Sequence, residues 1–126
     1  MPQLDEESAI ICALFHDTGK LGMPEKPLYL KGSTGYYYNP LTVAMGLGVR
    51  SLYLVSKFIT LSDEEAQAIA YHDGQYVEGN KIVAHKECPL TVLLHFADYW
   101  TAHIYEDEGR RISHLKGIEA IIDNQI

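Results

Sequence analysis

The chain has little cysteine, a single tryptophan, no basic tract and no long apolar run. Three of these shortages remove a class of protein. Cys12 and Cys88 stand far apart and do not make the paired spacing of a thiolate metal knuckle. With no disulfide framework to join, they read as reduced thiols of a cytoplasmic protein. The N-terminus is acidic, so it does not read as a signal peptide. No apolar stretch comes near the roughly 18 residues that span a bilayer, so no membrane partner is expected. A net charge of −7 without clustered Lys and Arg argues against a duplex nucleic-acid surface, whose affinity rests on positive charge. A nucleotide substrate stays open, because a bound cation can supply positive charge locally.

What is present suits one domain over residues 1–126, with a modest core. A first helix is expected from about Asp5 to Asp17, with acidic residues in its opening turn as the helix dipole favours. Residues 18–38 carry four Gly, two Pro and four Tyr, and read as a long loop. Asn39-Pro40 reads as an N-cap followed by proline at the first helical position, opening a second helix to about Phe58. Ser62-Asp63-Glu64-Glu65 is a capping box for a third helix ending near His72 or Asp73. Residues 74–87 read as polar loop, with Lys81-Ile82-Val83-Ala84 able to pair as a short strand. Pro89 starts the longest helix, to about Glu106, and an amphipathic segment from Ser113 to Asp123 closes the chain. The expectation is an all-α bundle of about five helices with two long loops.

The chemistry-bearing residues sit at helix ends and on one helix face. Ile10, Ala13, Leu14 and Asp17 share a face by helical spacing, which delivers a carboxylate to the end of a core-facing stripe beside His16. A buried carboxylate is costly unless it is paired or coordinates a metal. On the fourth helix, Leu93, Phe96, Ala97, Trp100 and Ile104 form one stripe, read as core. Thr91, His95, Asp98 and Ala102 form its neighbour. His72-Asp73 is a second His-Asp pair. Imidazole and carboxylate together suit Mn, Fe, Ni, Mg or Zn, so a divalent metal cofactor is expected. His16, Asp17 and Asp98 are the candidate ligands. His72, His95 and Asp73 are candidate proton shuttles or groups that orient the ligands. His85, His103 and His114 read as surface residues.

His16-Asp17-Thr18-Gly19-Lys20, followed much later by Asp98 inside an apolar helix, resembles the HD superfamily of metal-dependent phosphohydrolases. More narrowly, the chain looks like small bacterial and phage HD-domain proteins. The matching stretches are residues 13–20, 61–72 and 89–102, and the resemblance covers roughly residues 8–106. It implies a helical bundle with the order His, His-Asp, Asp around one metal. His16 and Asp17 match the pair and Asp98 matches the last ligand. Lys20 matches a basic residue that reaches substrate phosphate in several branches. The expected catalytic residues are therefore Asp17, Lys20 and His72, with Lys20, Asp73 and His95 toward the substrate.

Two departures stand out. No His precedes His16, so the family's first His is missing here. The chain is then a fragment, an N-terminally truncated relative, or a protein that fills the position differently. Relatives of this type carry Gly-His-Gly-Glu on the second helix, and this chain has Gly46-Leu47-Gly48-Val49. The resemblance implies hydrolysis of a small phosphate ester or nucleotide, with activity weakened by the missing His. The alternative is a non-catalytic HD-like module that binds a ligand or a partner protein. The apolar first helix and the many apolar positions over 39–58 predict a homodimer, since such faces are rarely left exposed on a monomer.

Overall fold

The computed structural model describes residues 3–106 and 121–122. The chain divides into two compact units, residues 1–95 and 96–126. The first is built on four helices. Helix α1 spans Glu6–Phe15, α2 Leu47–Ser56, α3 Asp63–Tyr71, and α4 Pro89–Trp100, which crosses the unit boundary. Each start has a local cause. Asp5 caps α1 by accepting from the Ser8 amide at 2.9 Å. Ser62 and Glu65 complete the capping box of α3, with both reciprocal bonds made. Proline opens α4, where its missing N–H costs nothing. In the second unit α4 runs on into a π-helical turn, Thr101–Tyr105. The Ser113–Asp123 segment falls almost wholly outside the described residues. No described helix is long and apolar enough to cross a membrane.

The core gathers Cys12, Val55, Ala68, Ile69, Leu90 and Leu94, with Ala9, Phe15, Leu52 and Ile59 packed around it. Two expected stripes therefore face the wrong way. Ile10 and Leu14 on α1 are exposed, and Cys12 is the residue buried there. On α4 the face with Leu90, Thr91 and Leu94 is buried, while Leu93, Phe96 and Trp100 are exposed. Polar bonds decide both orientations. Glu65, itself buried, accepts from Ser8 Oγ at 2.6 Å and holds α1 to α3. Thr91 Oγ1 donates to Gln67 at 2.7 Å and turns the Thr91 face of α4 onto α3. A buried polar group must be satisfied, so these bonds outweigh the greater apolar area of the rejected faces.

The structure is helix-rich without being all-α, because residues 18–38 are not an irregular loop. A 3-10 turn, Thr18–Leu21, leads into two antiparallel pairs. Strand β1 (Gly22–Met23) pairs with β2 (Lys26–Pro27), and β3 (Tyr29–Gly32) with β4 (Gly35–Tyr38). The glycines and prolines that suggested a loop are the punctuation of two hairpins, and the tyrosines have the β preference of aromatics. Tyr29 and Tyr38 stand opposite each other with ring centroids 5.1 Å apart.

Asn39 does not cap a helix. Its side chain accepts from Leu41 N and donates to the Pro27 carbonyl, each at 3.0 Å, so it closes a turn, and α2 begins only at Leu47. Residues 74–87, read as loop, hold 3-10 turns at Gly74–Tyr76 and Glu78–Val83, and the second of these takes up most of the 81–84 stretch that could have paired as a strand. The Asn80 amide, bonded to the Gly74 carbonyl at 2.9 Å, favours that local winding.

Helix α2 places the two His-Asp segments side by side. Its buried face carries Gly48, Arg50, Ser51 and Val55, so it is small and polar rather than broadly apolar. Gly19, just after Asp17, donates its amide to Ser51 Oγ at 2.8 Å. Gly48 lies so close to the end of α3 that a Cβ would stand 2.0 Å from the Ala70 carbonyl oxygen. Gly48→Ala is therefore expected to destabilise the fold by about 1–3 kcal/mol or more, the range of overpacked sites. Gly79→Ala, where an added Cβ meets nothing within 4 Å, should stay within about 0.5 kcal/mol. Urea unfolding of the two variants checks this.

Candidate metal centre

Three histidines are pinned in the same way. His16 caps the C-terminus of α1, and its Nδ1 bonds the Ala13 carbonyl at 2.9 Å. His72 caps α3, and its Nδ1 bonds the Ile69 carbonyl at 2.8 Å. His95, on α4, bonds the His72 carbonyl through Nδ1 at 2.8 Å. A carbonyl can only accept, so each Nδ1 carries a proton, which in the neutral tautomer leaves the lone pair on Nε2. A backbone carbonyl holding one nitrogen while the other is presented is the usual support of a metal-binding imidazole.

The presented atoms of two of these rings meet at Asp17. His16 Nε2 lies 3.5 Å from Asp17 Oδ2, and His72 Nε2 lies 3.5 Å from Oδ1 of the same carboxylate. The two rings pack edge to face with centroids 4.7 Å apart, and one ring nitrogen of each lies within 4.8 Å of the other. Asp73 Oδ1 also approaches His72 Nε2, at 3.3 Å. The His72 ring is fully buried, and its Nε2 makes no hydrogen bond. An unsatisfied buried acceptor is costly, and a cation at that nitrogen would remove the cost. On this ground the residues fit a divalent ion.

Asp17 is not the buried end of a core stripe. It follows the helix, heads the 3-10 turn, and its side chain is 36% exposed. Burial pushes its pKa up, but the Lys20 hydrogen bond and the electrostatic influence of His16, Lys20 and His72 bring it below the ordinary carboxylate value. The Lys20 ammonium lies 2.9 Å from Oδ2. Lys20 itself is exposed, and its 3-10 position keeps its stem beside Asp17.

The sequence placed His16, Asp17, Lys20, His72 and Asp73 in the site separately, and the structure gathers all five. His95 meets this cluster through its Nδ1, which bonds the His72 carbonyl. Asp98 is half-buried on α4, one turn beyond His95, in the second unit. The sequence reading missed Gly74. Its φ is +74°, and a Cβ there would meet the His95 ring at 2.4 Å, so only glycine allows His95 its place. The His-Asp-Gly order of residues 72–74 carried that signal. No protein-family model, curated protein or solved structure matches the chain.

Because the folded state depresses the Asp17 pKa, its ionised form contributes stability above the ordinary value of 3.8, and this is lost as pH falls through the folded value. In chelator-treated protein, the melting-temperature advantage of wild type over Asp17→Asn should hold at neutral pH and shrink below pH about 4. An advantage that persists at lower pH would show that the carboxylate charge contributes nothing.

Proposed function

We propose that the protein is a metal-dependent phosphohydrolase acting on a small phosphate ester or nucleotide. The observation that carries this reading is the buried His72 Nε2, which makes no hydrogen bond and faces the Asp17 carboxylate beside His16. Its complete burial suits a ligand better than a carrier of protons to solvent. The proposed donor set is His16, Asp17 and His72, with Asp98 the further ligand that the sequence resemblance implies. His72 then supplies a second imidazole donor beside His16. A divalent ion bound there supplies a Lewis acid for the phosphoryl oxygen and lowers the pKa of water toward neutrality.

The residues have separable tasks. Asp17, held ionised, is a weak base and serves as a fixed negative donor. Lys20 already contacts Asp17 Oδ2 and reaches outward, so its ammonium is placed to meet a phosphate oxygen. Asp73, with its side chain 37% exposed and 3.3 Å from His72 Nε2, is the carboxylate able to exchange a proton with water at the mouth of the site. Hydrolysis adds water to phosphorus and breaks the ester P–O bond, and the alcohol leaves with a proton.

We further expect self-association through exposed apolar side chains such as Ile10 and Leu14 of α1 and Val49 of α2. Sedimentation at micromolar concentration should show a dimer, and a Leu14→Glu variant should shift it to monomer.

Titration calorimetry with Mn is the direct test. Wild type should bind one ion, and His72→Ala and Asp98→Ala should each weaken binding by at least about tenfold. Hydrolysis of a small phosphate ester should be weak, stimulated by added Mn or Ni, and lost in His16→Ala. Protein that binds no divalent ion would overturn the reading. Protein that binds metal without hydrolysing any phosphate ester would favour a ligand-binding module.

A further inference from the structure

We infer that the N-terminus of α2, together with the buried guanidinium of Arg50, forms an oxyanion site that takes a phosphoryl group. Helix α2 is 10 residues long and opens at Gly46, which has no side chain with which to cap it. No acidic residue stands in its first turn. The amides of Leu47, Gly48 and Val49 have no acceptor within the helix and carry the positive end of its dipole. A Cβ at Gly46 would meet nothing within 4 Å, so there is open space beside the residue that heads the helix. Such a terminus is suited to phosphate, because several N–H groups point at one place.

Arg50 supplies an independent sign that an anion belongs there. It is 3% exposed, and its Nε is buried without a hydrogen bond. Helical side chains lean toward the N-terminus. Its Nη2 donates to the Val43 carbonyl at 2.8 Å, and Val43 precedes Gly46, so the guanidinium lies at the entrance of α2. Among the described residues no carboxylate forms an ion pair with Arg50. A buried cation without a counter-charge is costly, and a guanidinium is the group best shaped to hold a phosphate through paired N–H bonds.

The location suits a substrate phosphate. The first turns of α2 touch both His-Asp segments, through Gly19 N on Ser51 Oγ at 2.8 Å and through the close approach of Gly48 to Ala70. The assignment of the phosphoryl group to a substrate rests on the phosphohydrolase reading, whereas the anion site itself stands without a metal.

The test uses inorganic phosphate and chelator-treated full-length protein, with chloride at matched ionic strength as reference. Calorimetry should show phosphate binding to wild type, and the melting temperature should rise with phosphate concentration. Arg50→Met should weaken phosphate binding by about tenfold or more, as expected for loss of a charge-assisted contact. Because removing Arg50 can disturb folding, Gly46→Asp provides a second test. The backbone there, with φ −61° and ψ 150°, accepts Asp, whose carboxylate would cap the helix and occupy the anion position. Gly46→Asp should melt higher than wild type without phosphate and lose the phosphate response. A wild type that responds equally to phosphate and chloride, or a Gly46→Asp protein that still binds phosphate, would overturn the site. Phosphate binding by protein that takes up no divalent ion would sustain the anion site and remove the hydrolase reading.

Discussion

The arrangement depends on one buried imidazole. His72 uses its Nδ1 on the Ile69 carbonyl, offers its own carbonyl to His95, and turns Nε2 toward Asp17 and Asp73. Each contact limits a different element. The first fixes the ring against the end of α3, the second ties the His95 turn of α4 to it, and the third sets where the chain after α1 can lie. A ring without access to water cannot replace the Ile69 carbonyl with solvent, so a change there would strand Nδ1 as well as Nε2. Unlike an apolar side chain of similar volume, it therefore specifies geometry as well as filling space.

Helix α2 makes this geometry possible by contributing very little side chain. Gly48 lets the α3 terminus approach backbone to backbone, and Ser51 receives the amide of Gly19. Two loops that would otherwise repel each other through adjacent carboxylates are thus held by neutral contacts a short distance behind the charged groups. The negative charge of Asp17 is then moderated locally, by Lys20 and by the two imidazoles. Placing the attractive backbone contacts on α2 leaves the charged tips oriented without being neutralised. A site proposed to receive a cation needs that, because fully paired carboxylates would have no reason to bind one.

Local signals were the legible part of the sequence. The capping box at Ser62, the proline at the start of α4 and the acidic opening of α1 all act within a few residues, and each sits where it was expected. The His-Asp pairs were legible as chemistry because they end helices, where side chains are free to turn inward. Which face of α1 and α4 is buried was not legible. Apolar spacing favoured Leu14, Leu93 and Trp100, but Glu65–Ser8 and Thr91–Gln67 decided the orientation, and those bonds join residues 57 and 24 positions apart. Periodicity counts apolar area and has no term for a distant hydrogen bond. The hairpins were missed for a related reason: glycine and proline mark a turn equally well in a loop and in a β-ribbon. Asn39 looked like a helix cap, yet its side chain was already committed to Pro27 and Leu41.

The overall charge poses a last question, because a chain of net charge −7 is a poor general attractor for phosphate. Long-range steering is against such a ligand, and salt screens it within about 8–10 Å. Recognition must then come from short-range groups that are positive irrespective of the whole. The proposed metal, the Lys20 ammonium, the Arg50 guanidinium and the amide end of α2 are all of this kind. All three protein groups lie on elements that contact the chain around His16-Asp17 or α3. In this reading the acidic surface is a filter: polyanions are repelled at a distance, while a small phosphate that reaches the proposed site meets concentrated positive charge. Selection by size then follows from electrostatics, because a long nucleic acid cannot leave the unfavourable field of the surface, whereas a single phosphoryl group can.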